Sequence, residues 1–132
     1  MKQRLTALAL VVADYDEAIE WYTEALGFDL VEDTPLGGGK RWVVVEPPGD
    51  SGGCRLLLAR ATSEDQEAAI GNQTGGRVFL FLETDDFHAD YARYLDAGVE
   101  FEEDAPREEA YGTVIVFRDL YGNKWDLIER RA

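Results

Sequence analysis

Leu8-Ala9-Leu10-Val11-Val12-Ala13-Asp14-Tyr15 and Leu80-Phe81-Leu82-Glu83-Thr84-Asp85-Asp86-Phe87 are two versions of one pattern: an apolar strand that stops at an acidic residue. A helical pattern follows each. The first ends at Ala25-Leu26-Gly27-Phe28 and the second at Ala97-Gly98-Val99-Glu100-Phe101. Asp14 and Asp86 are 72 residues apart, and Gly27 and Gly98 are 71 apart, so a single gap aligns strand, cap, helix and terminal glycine. Two copies of one unit follow from that alignment.

In the first copy Leu8, Leu10 and Val12 alternate with the smaller Ala7, Ala9 and Val11, which predicts a strand with one bulky and one slim face. Leu80 and Leu82 alternate with Phe79, Phe81 and Glu83 in the second. Asp14 with Glu17 three residues on reads as a capping box, and Ala18, Ile19, Tyr22, Ala25 and Leu26 share one helical face. Asp85 or Asp86 caps the second helix, whose stripe is Phe87, Tyr91, Tyr94 and Leu95. Gly27 and Gly98 stand where a left-handed residue ends a helix. Three strands are predicted after each helix: Phe28–Asp33, Arg41–Glu46 and Cys54–Ala59, then Glu100–Glu103, Thr113–Arg118 and Lys124–Ile128. The breaks are Pro35 with Gly37-Gly38-Gly39, Pro47-Pro48-Gly49 through Gly53, and the turn Asp119-Leu120-Tyr121-Gly122-Asn123. Ser63 to Ile70 reads as a short helix capped by Ser63 and Gln66. The expected organisation is therefore one α+β domain over 1–132, with a βαβββ module at about 1–62, a linker at about 63–76 and a second module at about 77–132.

At 132 residues the chain is long enough for one real core. Thirteen basic against 27 acidic residues leave a net charge of −14, which repels phosphate backbones and anionic lipids, so neither nucleic acid nor membrane is expected as a partner. The acidity suits solubility first and is compatible with a cationic guest. Cys54 alone cannot form an intrachain disulfide, which fits a cytoplasmic protein. A single histidine, His88, excludes a site needing two histidines from one chain. Only Ser51 and Ser63 are serines, in loop and helix-start contexts, which leaves little room for serine–histidine chemistry.

Val12-Ala13-Asp14 through Trp21-Tyr22 to Leu26-Gly27-Phe28, and Phe117-Arg118-Asp119-Leu120-Tyr121-Gly122-Asn123-Lys124-Trp125-Asp126-Leu127, resemble the vicinal-oxygen-chelate superfamily. That family includes glyoxalase I, bleomycin-resistance proteins and extradiol dioxygenases. Leu120 stands where the family usually has proline. The resemblance implies paired βαβββ modules forming a curled mixed sheet around a cleft. It also implies a metal-ligand position seven residues before each helix-opening aspartate, which here falls on Ala7 and Phe79. A third position, on the last strand, falls on Asp126, and a fourth lies in the stretch Arg55-Leu56-Leu57-Leu58. One carboxylate does not hold a catalytic divalent ion, so no metal and no cofactor are expected.

Strand parity puts Phe79, Phe81 and Glu83 on the cleft face, with Val114, Val116 and Arg118 if Phe117 is core, and Lys124, Asp126 and Ile128 if Trp125 and Leu127 are core. Glu83, Asp126, Arg118 and Lys124 then either orient a ligand or neutralise one another, Arg118 pairing with Asp126 or Glu83. Glu83 stands at a strand end, where solvation alone would also account for it. Trp42 stacks on a ligand, or packs in the core or a dimer interface. Tyr111 covers the cleft or is an ordinary loop aromatic. The acidic run Glu102-Glu103-Asp104 reads as a solvated edge. The expected ligand set is Trp42, Phe79, Phe81, Glu83, Tyr111, Arg118 and Asp126. The leading functional expectation is a homodimer that binds a small organic molecule without a metal. The alternatives are a lactoylglutathione-lyase-like or dioxygenase-like metalloenzyme, and an interaction module with a filled cleft.

Overall fold

Among the described residues, three side chains each start a helix. In the computed structural model, which describes residues 1–49 and 52–132, Asp14 Oδ2 accepts the Glu17 N–H at 2.8 Å and opens α1 (Tyr15–Glu24). Ser63 Oγ accepts from Gln66 N at 3.2 Å and opens α2 (Glu64–Ala69). Asp86, and not Asp85, caps α3 (Phe87–Asp96) through Ala89 N. Each cap satisfies an amide that the first helical turn leaves without a carbonyl. Gly27 and Gly98 lie beyond α1 and α3 at φ +72° and +81°, the conformation that reverses the chain at least cost.

The strands form two sheets in two compact units, Met1–Ile70 and Gly71–Ala132. In the first, β1 (Ala7–Val12) runs parallel to β4 (Arg55–Arg60), and β3 (Lys40–Glu46) and β2 (Asp29–Gly37) extend the sheet antiparallel, in the order β1-β4-β3-β2. In the second, β5 (Val78–Glu83) is parallel to β9 (Lys124–Arg130), and β8 (Gly112–Arg118) follows. Where three strands were expected after α3, there are four. The edge beside β8 is interrupted, with β6 (Glu100–Phe101) on one end of β8 and β7 (Arg107–Glu109) on the other. The Ser51 loop assignment lies outside the described residues.

The bulky face of β1 is core, as its alternation predicts. Leu10 and Val12 are fully buried, as are Val43, Val45 and Leu58 of the same sheet, Ala18 and Tyr22 from α1, and Leu26 just beyond it. The second core is a chain of rings: Tyr94 lies 5.5 Å from Phe117, which stacks 5.5 Å from Trp125. Leu95 departs from its expected place. It stands at the margin of the α3 stripe and is 51% exposed. On the outer edge of the first sheet, β2 is exposed throughout, and its pairing slips between Leu30 and Glu32 and again between Pro35 and Gly37. No helix among the described residues is long and apolar enough to cross a membrane.

The hairpin joining β8 to β9 turns about Asp119, which is 5% exposed. Its Oδ1 accepts the N–H groups of Tyr121, Gly122 and Asn123 at 3.0 to 3.1 Å. Its Oδ2 accepts Asn123 Nδ2 at 3.0 Å and Trp125 Nε1 at 3.2 Å. The preceding loop docks on that turn. Gly71, at φ +72°, lies so close that a Cβ there would stand 1.9 Å from the Tyr121 carbonyl oxygen. Asn123 Oδ1 accepts from Gln73 N. Replacing Asp119 with alanine strands several buried donors and is expected to destabilise the protein by about 3 kcal/mol or more. Gly71→Ala, strained in backbone and space, is expected to lose about 2 kcal/mol or more. Urea denaturation of both variants against the parent protein measures these losses.

Candidate functional site

The slim face of β1 opens in the first unit onto a hollow of about 420 Å³. Leu5, Ala7, Trp42 and Val44 supply its apolar surface, and Arg4, Arg55, Glu32 and Glu46 its charge. Trp42 reaches it because β3 alternates: Val43 and Val45 are fully buried toward α1, which turns Trp42 and Val44 the other way. Trp42 is 41% exposed, so part of this strand residue faces solvent. Arg55 and Glu46 bridge one another at 2.8 Å, so part of this charge is already neutralised. The volume is in the range of small-molecule sites.

In the second unit, register sets a second surface. Arg118 pairs with Lys124, Val116 with Asp126 and Val114 with Ile128 across β8 and β9, while β5 places Phe81 beside Asp126 and Glu83 beside Ile128. The parity reading thus brings Phe81, Glu83, Arg118, Lys124 and Asp126 to one face. Phe79 is different. The β5–β9 register slips between Val78 and Leu80, Phe79 has no Cα partner on β9, and alternation no longer decides its face. Phe81 is 68% exposed. Val114 and Ile128 are 0% and 5% exposed, so they form a dry floor and not an accessible wall. Tyr111, 48% exposed, sits in the turn between β7 and β8.

The charges do not pair as expected. Arg118 bonds neither Asp126 nor Glu83; its guanidinium holds Glu102, and Lys124 Nζ approaches the same carboxylate at 3.5 Å. Glu103 holds Arg107 and also accepts the Val116 N–H. Glu102 and Glu103 are therefore counter-ions, while Asp104 stays exposed as an edge residue. The role of the two glutamates was hidden because only the antiparallel return along β8 carries them there. Glu83 meets Arg130 at 3.5 Å, with both side chains well exposed, a contact that contributes little.

Asp126 is left half-buried without a hydrogen bond or ion pair among the described residues. Burial, first, raises its pKa above the ordinary carboxylate value; Arg107 opposes the shift and Glu103 adds to it. Such a group can accept a hydrogen bond from a guest, meet a cation, or take up a proton when a neutral guest covers it.

A model of the glyoxalase/bleomycin resistance protein/dioxygenase superfamily matches residues 4–127. The chain belongs to this superfamily. An uncharacterized protein of Shewanella frigidimarina (strain NCIMB 400) is 58% identical over 130 residues, covering 98% of this chain and 95% of that one. Among solved structures, UcmS2 is 31% identical at a TM-score of 0.82, covering 97% of this chain and 98% of its own. TnmS3, an antibiotic binding protein from Streptomyces sp. CB03234, is 29% identical at a TM-score of 0.75, with 98% of both chains covered.

The residues do not fit the cation that metal-using glyoxalase relatives carry. Ala7 and Phe79 supply no donor atom, Asp126 is a lone carboxylate, and no group of three or more His, Cys, Asp or Glu among the described residues is placed to hold a metal ion.

Because the folded state favours the neutral form of Asp126, this group supports folding below the ordinary carboxylate range. That support is lost as pH rises through the folded-state pKa. Asp126→Asn is therefore expected to raise the melting temperature at pH 7. The gain should shrink toward zero as pH falls below about 4, near the unfolded carboxylate value. Melting curves of the two proteins from pH 3 to pH 8, spanning the carboxylate range, decide it.

Proposed function

We propose that this protein binds a small organic molecule and does so without a metal ion, in the manner of a sequestering resistance protein. The observation that carries the reading is the first unit's hollow, with the part-exposed Trp42 in its lining beside the apolar Ala7 and Val44. Stacking on an indole suits a planar, unsaturated guest. The mixed charge at the rim, two arginines and two glutamates, suits polar substituents of either sign and does not demand a cationic guest. Similarity to an antibiotic binding protein of matching length supports an antibiotic-like molecule as the class of guest. In the second unit, Phe81 and Asp126 offer an apolar contact beside a carboxylate on the same face.

Thermal shift with a panel of planar aromatic antibiotics and cationic glycopeptides tests this. A true ligand at one hundred times its Kd stabilises the fold by about 2.7 kcal/mol. The planar aromatic class is expected to raise the melting temperature and quench tryptophan emission. Trp42→Ala should weaken binding up to roughly tenfold, and Trp42→Phe should retain most of it. A panel without any stabilising compound, or equal binding by Trp42→Ala, overturns the reading.

A further inference from the structure

A second hollow, of about 250 Å³, lies wholly within the second unit. Arg77, Arg118 and Lys124 line it, with Gly71, Thr74 and Gly76 of the loop that enters β5. This grouping follows from register. Lys124 begins β9; Val78, next to Arg77, faces it from β5, and Arg118 faces it from β8. β8 and β9, with the residue just before β5, thus each deliver a cation to the same end of the sheet. The loop is fixed by Gly71 against the Tyr121 carbonyl and by a 2.6 Å bond from Thr74 Oγ1 to the Arg77 carbonyl, which closes the turn just before β5.

Two of the three positive charges share one direct counter-ion, and the third has none among the described residues. Glu102 serves both Arg118 and Lys124, and Arg77 makes no ion pair among the described residues. Asp119 follows Arg118 in sequence, but its carboxylate is committed to the five donors of the hairpin turn. In a chain of net charge −14, a local excess of cations around a concavity is the reverse of the general surface. The repulsion from distant acids is screened within about 8 Å at physiological ionic strength. The guanidinium groups of Arg77 and Arg118 offer planar forks suited to oxyanions.

We propose that this hollow is a binding site for a small oxyanion, a phosphate or carboxylate group, held by Arg77, Arg118 and Lys124. It does not depend on the first unit's hollow. The test is titration of the full chain with sodium phosphate, and separately with sodium acetate, at ionic strength fixed with sodium chloride. Amide resonances of Gly71, Gly76 and Gly122 are followed. These should move saturably while those of the first unit stay in place. Arg77→Ala should weaken binding roughly tenfold. Arg77→Gln is the second variant if the alanine protein loses its amide dispersion. Glu102→Gln should tighten binding, because it releases Arg118 and Lys124 from their shared carboxylate. Trp42→Ala should bind phosphate as the parent does. A response to phosphate alone assigns a phosphorylated guest; a response to acetate alone, a carboxylated one. Shifts reproduced by chloride alone, undiminished binding in the Arg77 variants, or weaker binding in Glu102→Gln overturn the proposal.

Discussion

The buried carboxylate of Asp119 is the fixed point of the second unit. Burying a charge is costly unless donors surround it, and here three backbone and two side-chain N–H groups do so. The arrangement holds more than a turn. It ties Trp125 into the ring stack of the core, sets the register of β8 on β9, and through Asn123 receives the loop that leads into β5. This register decides which side chains share the open face of that sheet. A slip of one residue would exchange Asp126 with a core position.

The architecture was legible where the signal is local. Asp14, Ser63 and Asp86 cap helices because a short side-chain acceptor meets amides three residues ahead, and sequence alone displays that spacing. The alternation of β1 fixed its core face for the same reason. The interruption of the edge strand into β6 and β7 was not legible. Arg107-Glu108-Glu109 has no apolar period, and it is a strand only because β8 offers an unpaired edge.

Of the site, the faces were legible and the partnerships were not. Parity grouped Glu83, Arg118, Lys124 and Asp126 correctly, but proximity on one face does not decide which charge meets which. Glu102 reaches Arg118 from the neighbouring edge, a relation that exists only after the chain has folded back. For Phe79 parity does not settle the face. Alternation assumes an unbroken ladder, and the slip between Val78 and Leu80 breaks it at that residue. Arg77 was passed over because nothing in its neighbourhood of sequence marks it; only the parallel pairing of β5 with β9 sets it near Lys124.

The outer edge of the first sheet has a consequence of its own. Leu30, Val31 and Leu36 are open to solvent on a strand of nine residues, a length that invites a foreign strand to add on. Two dislocations in the ladder, a proline between them, and the neighbouring acids Glu32 and Asp33 spoil that template. An edge broken up in this way resists the addition of a strand from another chain, and with it the growth of fibres from the folded molecule.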